Sequence, residues 1–122
     1  MIAVALLQVA GFASAGWVPI TTSDTGTVYA DLSAKTRDRQ VVTIWTLFDH
    51  QVVQREAGDA YLSSKGQWQI DCTGAKMRQT FHVIYSGHMG SGSTLWSGSL
   101  GKTFEPVVPG STGESLFEAA CR

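Results

Sequence analysis

The segment Gly66–Thr73, GQWQIDCT, alternates without a break: Trp68, Ile70 and Cys72 fall on one side, Gln67, Gln69 and Asp71 on the other. Successive side chains of a strand point to opposite faces, so this pattern predicts a half-buried strand that carries Cys72 onto its apolar side. The chain has one other cysteine, Cys121, and it lies in the one stretch where the hydrophobic period changes. In PVVPGSTGESLFEAACR, Ser111 is followed three residues later by Glu114, a capping box that predicts a helix beginning near Thr112. Gly113, Leu116, Phe117, Ala120 and Cys121 then recur at three- and four-residue spacing and form one apolar stripe. A strand and a helix that both turn a cysteine to the buried side are expected to meet, with the helix lying on the sheet. A Cys72–Cys121 disulfide would close a loop of about 50 residues and stabilise the fold by roughly 4 kcal/mol on the chain-entropy model.

The remaining segments supply strands. Two extended runs between Trp17 and Leu32 flank Ser23-Asp24-Thr25-Gly26, whose side chains favour a turn. In QVVTIWTLFDHQ, residues 40–51, Val42, Ile44 and Phe48 share one face and Val41, Trp45 and Leu47 the other. A strand apolar on both faces is central in its sheet or lies at an interface. After a turn at Thr73-Gly74, Met77, Phe81, Val83 and Tyr85 alternate with Lys76, Arg78, Thr80, His82 and Ile84, which predicts a long antiparallel hairpin over residues 67–86. The expected class is α+β: a single antiparallel β-sheet of about six strands, with a C-terminal α-helix packed on it and tied by one disulfide.

The chain is 122 residues long, with 9 Lys and Arg against 10 Asp and Glu and no run of like charge. Nucleic acid is excluded as a partner, because that binding needs clustered cations to displace counterions. Residues 1–15, MIAVALLQVAGFASA, are uncharged, and they end on the small-x-small pattern Ala13-Ser14-Ala15. That pattern predicts a signal peptide over 1–15 and a single mature domain over 16–122. The apolar run is shorter than the roughly 20 residues of a spanning helix, so no stable membrane span is expected after cleavage. Export into an oxidising compartment, the periplasm or the cell surface, also suits the disulfide.

No catalytic set, metal site or cofactor motif is legible. YSGHMGSGSTLW, residues 85–96, is rich in glycine, but it lacks the lysine and the following helix of a phosphate loop. His50, His82 and His88 lack ligand spacing, and Asp49 and His50, as strand neighbours, face opposite ways and cannot form a dyad. Two candidate protein-binding features remain. One is a strand-face patch of Lys76, Arg78, His82 and Ile84; the other is a loop of Ser86, Gly87, His88, Met89 and Gly90, with Met89 expected to plug a gap beneath it.

WVPITTSDTGTVYADLSA, YLSSKGQWQIDC, YSGHMGSG and FEPVVPGSTGESLFEAAC together resemble the surface-adhesin protein E family of bacterial envelope proteins, from Trp17 to Cys121. The resemblance implies one antiparallel sheet with the C-terminal helix tied to it by Cys72 and Cys121. It also implies an exported, non-enzymatic adhesin-like module that binds extracellular-matrix or other surface proteins. His88 stands where the family commonly has proline, and no lipobox cysteine precedes the domain. The expected partner is a protein, with a homodimer left open. The alternative from another class is a periplasmic small-ligand carrier or enzyme, which would show itself as a pocket with converging polar groups.

Overall fold

The computed structural model describes residues 16–122, and the expected signal peptide lies outside them. Six strands follow one another across an antiparallel sheet in chain order: β1 (Trp17–Ser23), β2 (Gly26–Asp38), β3 (Val41–Glu56), β4 (Asp59–Asp71), β5 (Lys76–Tyr85) and β6 (Thr94–Ser99). A two-residue strand, β7 (Glu105–Pro106), pairs with the start of β5 on the side that β6 occupies further along. A short 3-10 turn (His88–Gly90) lies between β5 and β6, and an α-helix, α1 (Thr112–Ala120), ends the fold. The expected single sheet with a C-terminal helix is what forms, and β3 is central, as its two apolar faces require.

The turns follow local chemistry. Asp71 Oδ1 accepts from the backbone N–H groups of Thr73 (3.1 Å) and Gly74 (2.8 Å), closing the turn between β4 and β5. This contact also explains why Asp71, expected on the polar side, is buried. The β3–β4 connection at Ala57-Gly58 has φ of 51° and 90°, the left-handed pair that suits the twist of a tight hairpin. At the helix start, Ser111 Oγ accepts from Glu114 N at 3.2 Å as the capping box requires. The reciprocal bond is displaced by one residue, with Glu114 Oε1 accepting from Gly110 N at 2.8 Å.

One core lies between α1 and the sheet. Ala30, Val42, Ile44, Ile70 and Met77 meet Leu116 and Ala120 there, all buried. The stripe read from the sequence is therefore the packed face of the helix. Cys72 and Cys121 are bonded with their Cα atoms 5.7 Å apart, which joins the end of β4 to the end of α1. Lys35 Nζ donates to the Ala120 carbonyl at 3.1 Å, and so a cation sits at the negative end of the helix dipole. At the two sheet edges, β1 carries Pro19 and a bulge before Thr21, and β6 carries a bulge at Leu95, between Thr94 and Trp96.

Replacing Cys72 and Cys121 together by serine is expected to lower the unfolding free energy by about 2–5 kcal/mol in urea denaturation, and reductant should produce the same loss in the unaltered chain. Unchanged stability in both experiments would show that packing alone holds the helix.

Candidate functional site

The two faces of the sheet are finished differently. One, the helix face, carries α1; the other, the open face, carries no α-helix among the described residues and only the short 3-10 turn His88–Gly90. Cross-strand pairing places Trp17, Asp31, Trp45, Gln67, Phe81 and Ser99 in one row running straight across the open face from β1 to β6. The adjacent row is Pro19, Tyr29, Leu47, Lys65, Val83 and Ser97. Trp17, Tyr29, Trp45 and Phe81 are half-buried, and Trp45 meets Phe81 edge-on with ring centroids 6.1 Å apart. Lys65 Nζ lies 5.8 Å from the Trp17 ring and 5.4 Å from the Tyr85 ring, so a cation lies between two aromatic rings. Burial pushes the Tyr85 hydroxyl pKa up from 10.0.

The glycine-rich loop folds onto this same face. Ser63, fully buried, donates from Oγ to the Gly87 carbonyl (2.6 Å) and accepts there from Gly90 N (2.8 Å). Asp49 Oδ1 accepts from Met89 N (2.8 Å) and lies 3.1 Å from His88 Nδ1. Inside the loop, Ser86 Oγ accepts from Ser93 N and Ser91 Oγ donates to the His88 carbonyl, the local serine bonding that turns favour. Met89 does not plug a gap: it is 44% exposed at a left-handed φ of 55°. Gly90 is the residue that faces Leu47 and Lys65, and a Cβ there would approach Lys65 Cε to 2.9 Å. The left-handed backbone at Met89 and Gly90 turns the methionine side chain outward.

The four-residue patch does not form on one exposed face. A bulge leaves Thr80 without a partner as the register passes from Trp68 opposite Gln79 to Gln67 opposite Phe81. One extra residue inverts the facing of everything beyond it. Lys76 and Arg78 therefore share the open face with Phe81 and Val83, while His82 and Ile84 turn to the helix face. Ile84 is buried, at 2% exposure, and supplies no surface contact. Arg78 Nε donates to Gln69 Oε1 at 2.9 Å, and its guanidinium lies 4.5 Å from the Phe104 ring centroid. Sequence reasoning does not single out the aromatic rows as a site, although the apolar second face of β3 marks Trp45 and Leu47 as buried or interfacial.

The family model for surface-adhesin protein E matches residues 17–122, almost all of the described chain. The chain belongs to the surface-adhesin protein E family. Solved structures of Haemophilus influenzae protein E share its fold: crystal form II superposes with a TM-score of 0.64 at 15% identity, covering 87% of each chain. Protein E from non-typeable H. influenzae gives 0.58 at 14% identity, over 87% of this chain and 75% of that one. No curated protein matches the sequence. The family is one of surface adhesins, and the chain is accordingly an exported envelope protein, of the periplasm or the cell surface.

On the helix face of this adhesin fold, β3 and β4 extend past a second irregularity, between Asp49 and Gln54, into an arm that ends at Ala57-Gly58. His50 and Tyr61 stack edge-on at 5.8 Å, Glu56 Oε1 lies 3.8 Å from His82 Nε2, and the His82 ring sits 6.1 Å from that of Trp96. Burial, the charge of Glu56 and a hydrogen bond to it all push the Tyr61 hydroxyl pKa up from 10.0. Among the described residues no three His, Cys, Asp or Glu side chains converge on a metal position, and His50 and His82 line one hollow while His88 lies on the open face. Between the start of α1 and the sheet lies a cavity of about 430 Å³, with Phe48 shared between it and two hollows of about 180 Å³ each.

Burial holds the His50 imidazole below its usual 6.5, against an opposing pull from the Asp49 carboxylate. Between that lowered value and 6.5 the unfolded chain binds more protons than the folded one. His50 therefore contributes stability that is full above pH 6.5 and is lost as pH falls through its folded-state pKa. Comparing urea midpoints of the protein and its His50→Gln variant across this window should show a shallower pH slope in the variant; identical slopes would remove His50 from the account.

Proposed function

We propose that this chain is an exported, non-enzymatic adhesin-like module that docks proteins on the open face of its sheet. The observation that supports this most is the pair of in-register rows in which Trp17, Tyr29, Trp45 and Phe81 remain half-exposed with no α-helix over them among the described residues. Tryptophan, tyrosine and arginine carry most of the energy at protein interfaces, where large rigid rings bury area at little entropic cost. Lys76 and Arg78 extend this surface at one end of β5, and the loop Ser86–Gly90 borders it at the other. The face is strapped down by Ser63 and Asp49, so it meets a partner largely pre-organised.

Retention of the purified protein on immobilised extracellular-matrix proteins tests the reading. Trp17→Ala should weaken binding by about tenfold or more, the scale of an interface hot spot. Lys76→Glu with Arg78→Glu should weaken it less and reduce its salt dependence, since exposed charges are screened over about 8 Å at physiological ionic strength. His82→Ala, on the helix face, should leave it unchanged. Loss of binding in the His82 variant alone, with native circular dichroism in all of them, would move the site to the other face. If the protein sediments as a dimer that Trp17→Ala dissociates, the face serves a second copy of the chain.

Cleavage after Ala15 belongs to the same proposal, because the domain must leave the cytoplasm to reach such partners. N-terminal sequencing of protein from a periplasmic or surface fraction should begin Gly16-Trp17. Mature protein that keeps Met1 would overturn it.

A further inference from the structure

We propose that the cavity between the start of α1 and the sheet is a binding site for a small organic acid with an apolar body and a single negative charge. It lies on the helix face, away from the aromatic rows proposed to dock proteins, and meets that surface only at Arg78. At about 430 Å³ the cavity falls within the range of small-molecule sites. Its floor and wall are Phe48 of β3, Trp68 of β4, Met77 of β5 and Leu116 of α1, with Val107 closing one side. Four elements therefore converge on it, and the disulfide fixes the helix that forms one wall.

The space exists because the helix is short. Nine residues span about 14 Å at 1.5 Å per residue, too little to cover the sheet beyond Phe48. Trp68 does not need a polar partner from a ligand: its indole N–H already donates to Thr46 Oγ1 at 3.1 Å, and Thr46 donates onward to the Gly66 carbonyl at 3.3 Å. What Trp68 offers to the cavity is ring surface, which selects an apolar body.

Charge is placed at the mouth. Lys102 lines the cavity, is exposed, and has no carboxylate within ion-pairing distance among the described residues. Arg78 also lines the cavity, but its Nε donates to Gln69 and its guanidinium lies against the Phe104 ring, which leaves Lys102 as the uncommitted cation at the mouth. Glu105 borders the same mouth, so a second negative charge on the ligand would meet repulsion. An acid with one charge and an apolar body satisfies both groups.

The test is a fluorescence titration of the purified protein with 8-anilinonaphthalene-1-sulfonate, which carries one sulfonate on an aromatic body, followed by displacement with decanoate. Saturable binding of one dye per chain, reversed by decanoate, is expected. Val108→Trp, at an exposed position lining the cavity, should fill the mouth and abolish binding. Lys102→Glu should weaken it by about threefold or more, the scale of one exposed charge contact. Circular dichroism should stay native in both variants. Absence of saturable binding would overturn the proposal. So would a dye site untouched by both variants, or one lost instead on Trp17→Ala.

Discussion

A nine-residue helix has no stability of its own in water, because nucleation costs more than so few hydrogen bonds return. α1 persists through its attachment: Leu116 and Ala120 are buried against Val42, Ile44 and Ile70, Lys35 holds the last turn, and Cys121 is bonded to Cys72. This attachment gives the sheet two unlike faces. Where the helix lies, the sheet has a core; where it does not, the aromatic rows must cover one another.

That mutual cover is only partial, and this gives the open face its character. Leu47 and Val83 are buried there without an α-helix above them, because Lys65, the Ser86–Gly90 loop and the surrounding rings take its place. Buried polar groups usually have partners, and Ser63 meets that requirement twice by donating to Gly87 and accepting from Gly90. The loop is thus part of the open face and not an appendage, which is why its flexible-looking glycine content coexists with a fixed geometry.

The elements that could be read from the sequence were those fixed by local periodicity. Cys72 falls in a strict alternation, Cys121 in a helical stripe, and Ser111 with Glu114 marks the boundary between the two regimes. The facing of residues beyond Thr80 was not legible, because the bulge arises from how β5 pairs with Gln67 and Trp68, and Thr80 itself has no signature that separates it from an ordinary strand threonine. The same holds for the arm around Ala57-Gly58. Alanine at a φ of 51° is not a residue that announces a hairpin, and Val52 and Val53 are exposed at 64% and 46%, contrary to what their type implies. The candidate patch failed as one surface for this reason, whereas the helix and its disulfide formed where the periodicity placed them.

The two sheet edges share a feature that bears on assembly. Proline at position 19 and the bulge beside it blunt β1 as a template, because a missing N–H and a local kink break the regular ladder that an incoming strand would need. β6 is interrupted as well, by a bulge at Leu95 where the pairing passes from Trp96 opposite Ile84 to Thr94 opposite Tyr85. Neither edge therefore presents a regular ladder to an incoming strand, and copies of this chain are not templated to join edge to edge into a filament.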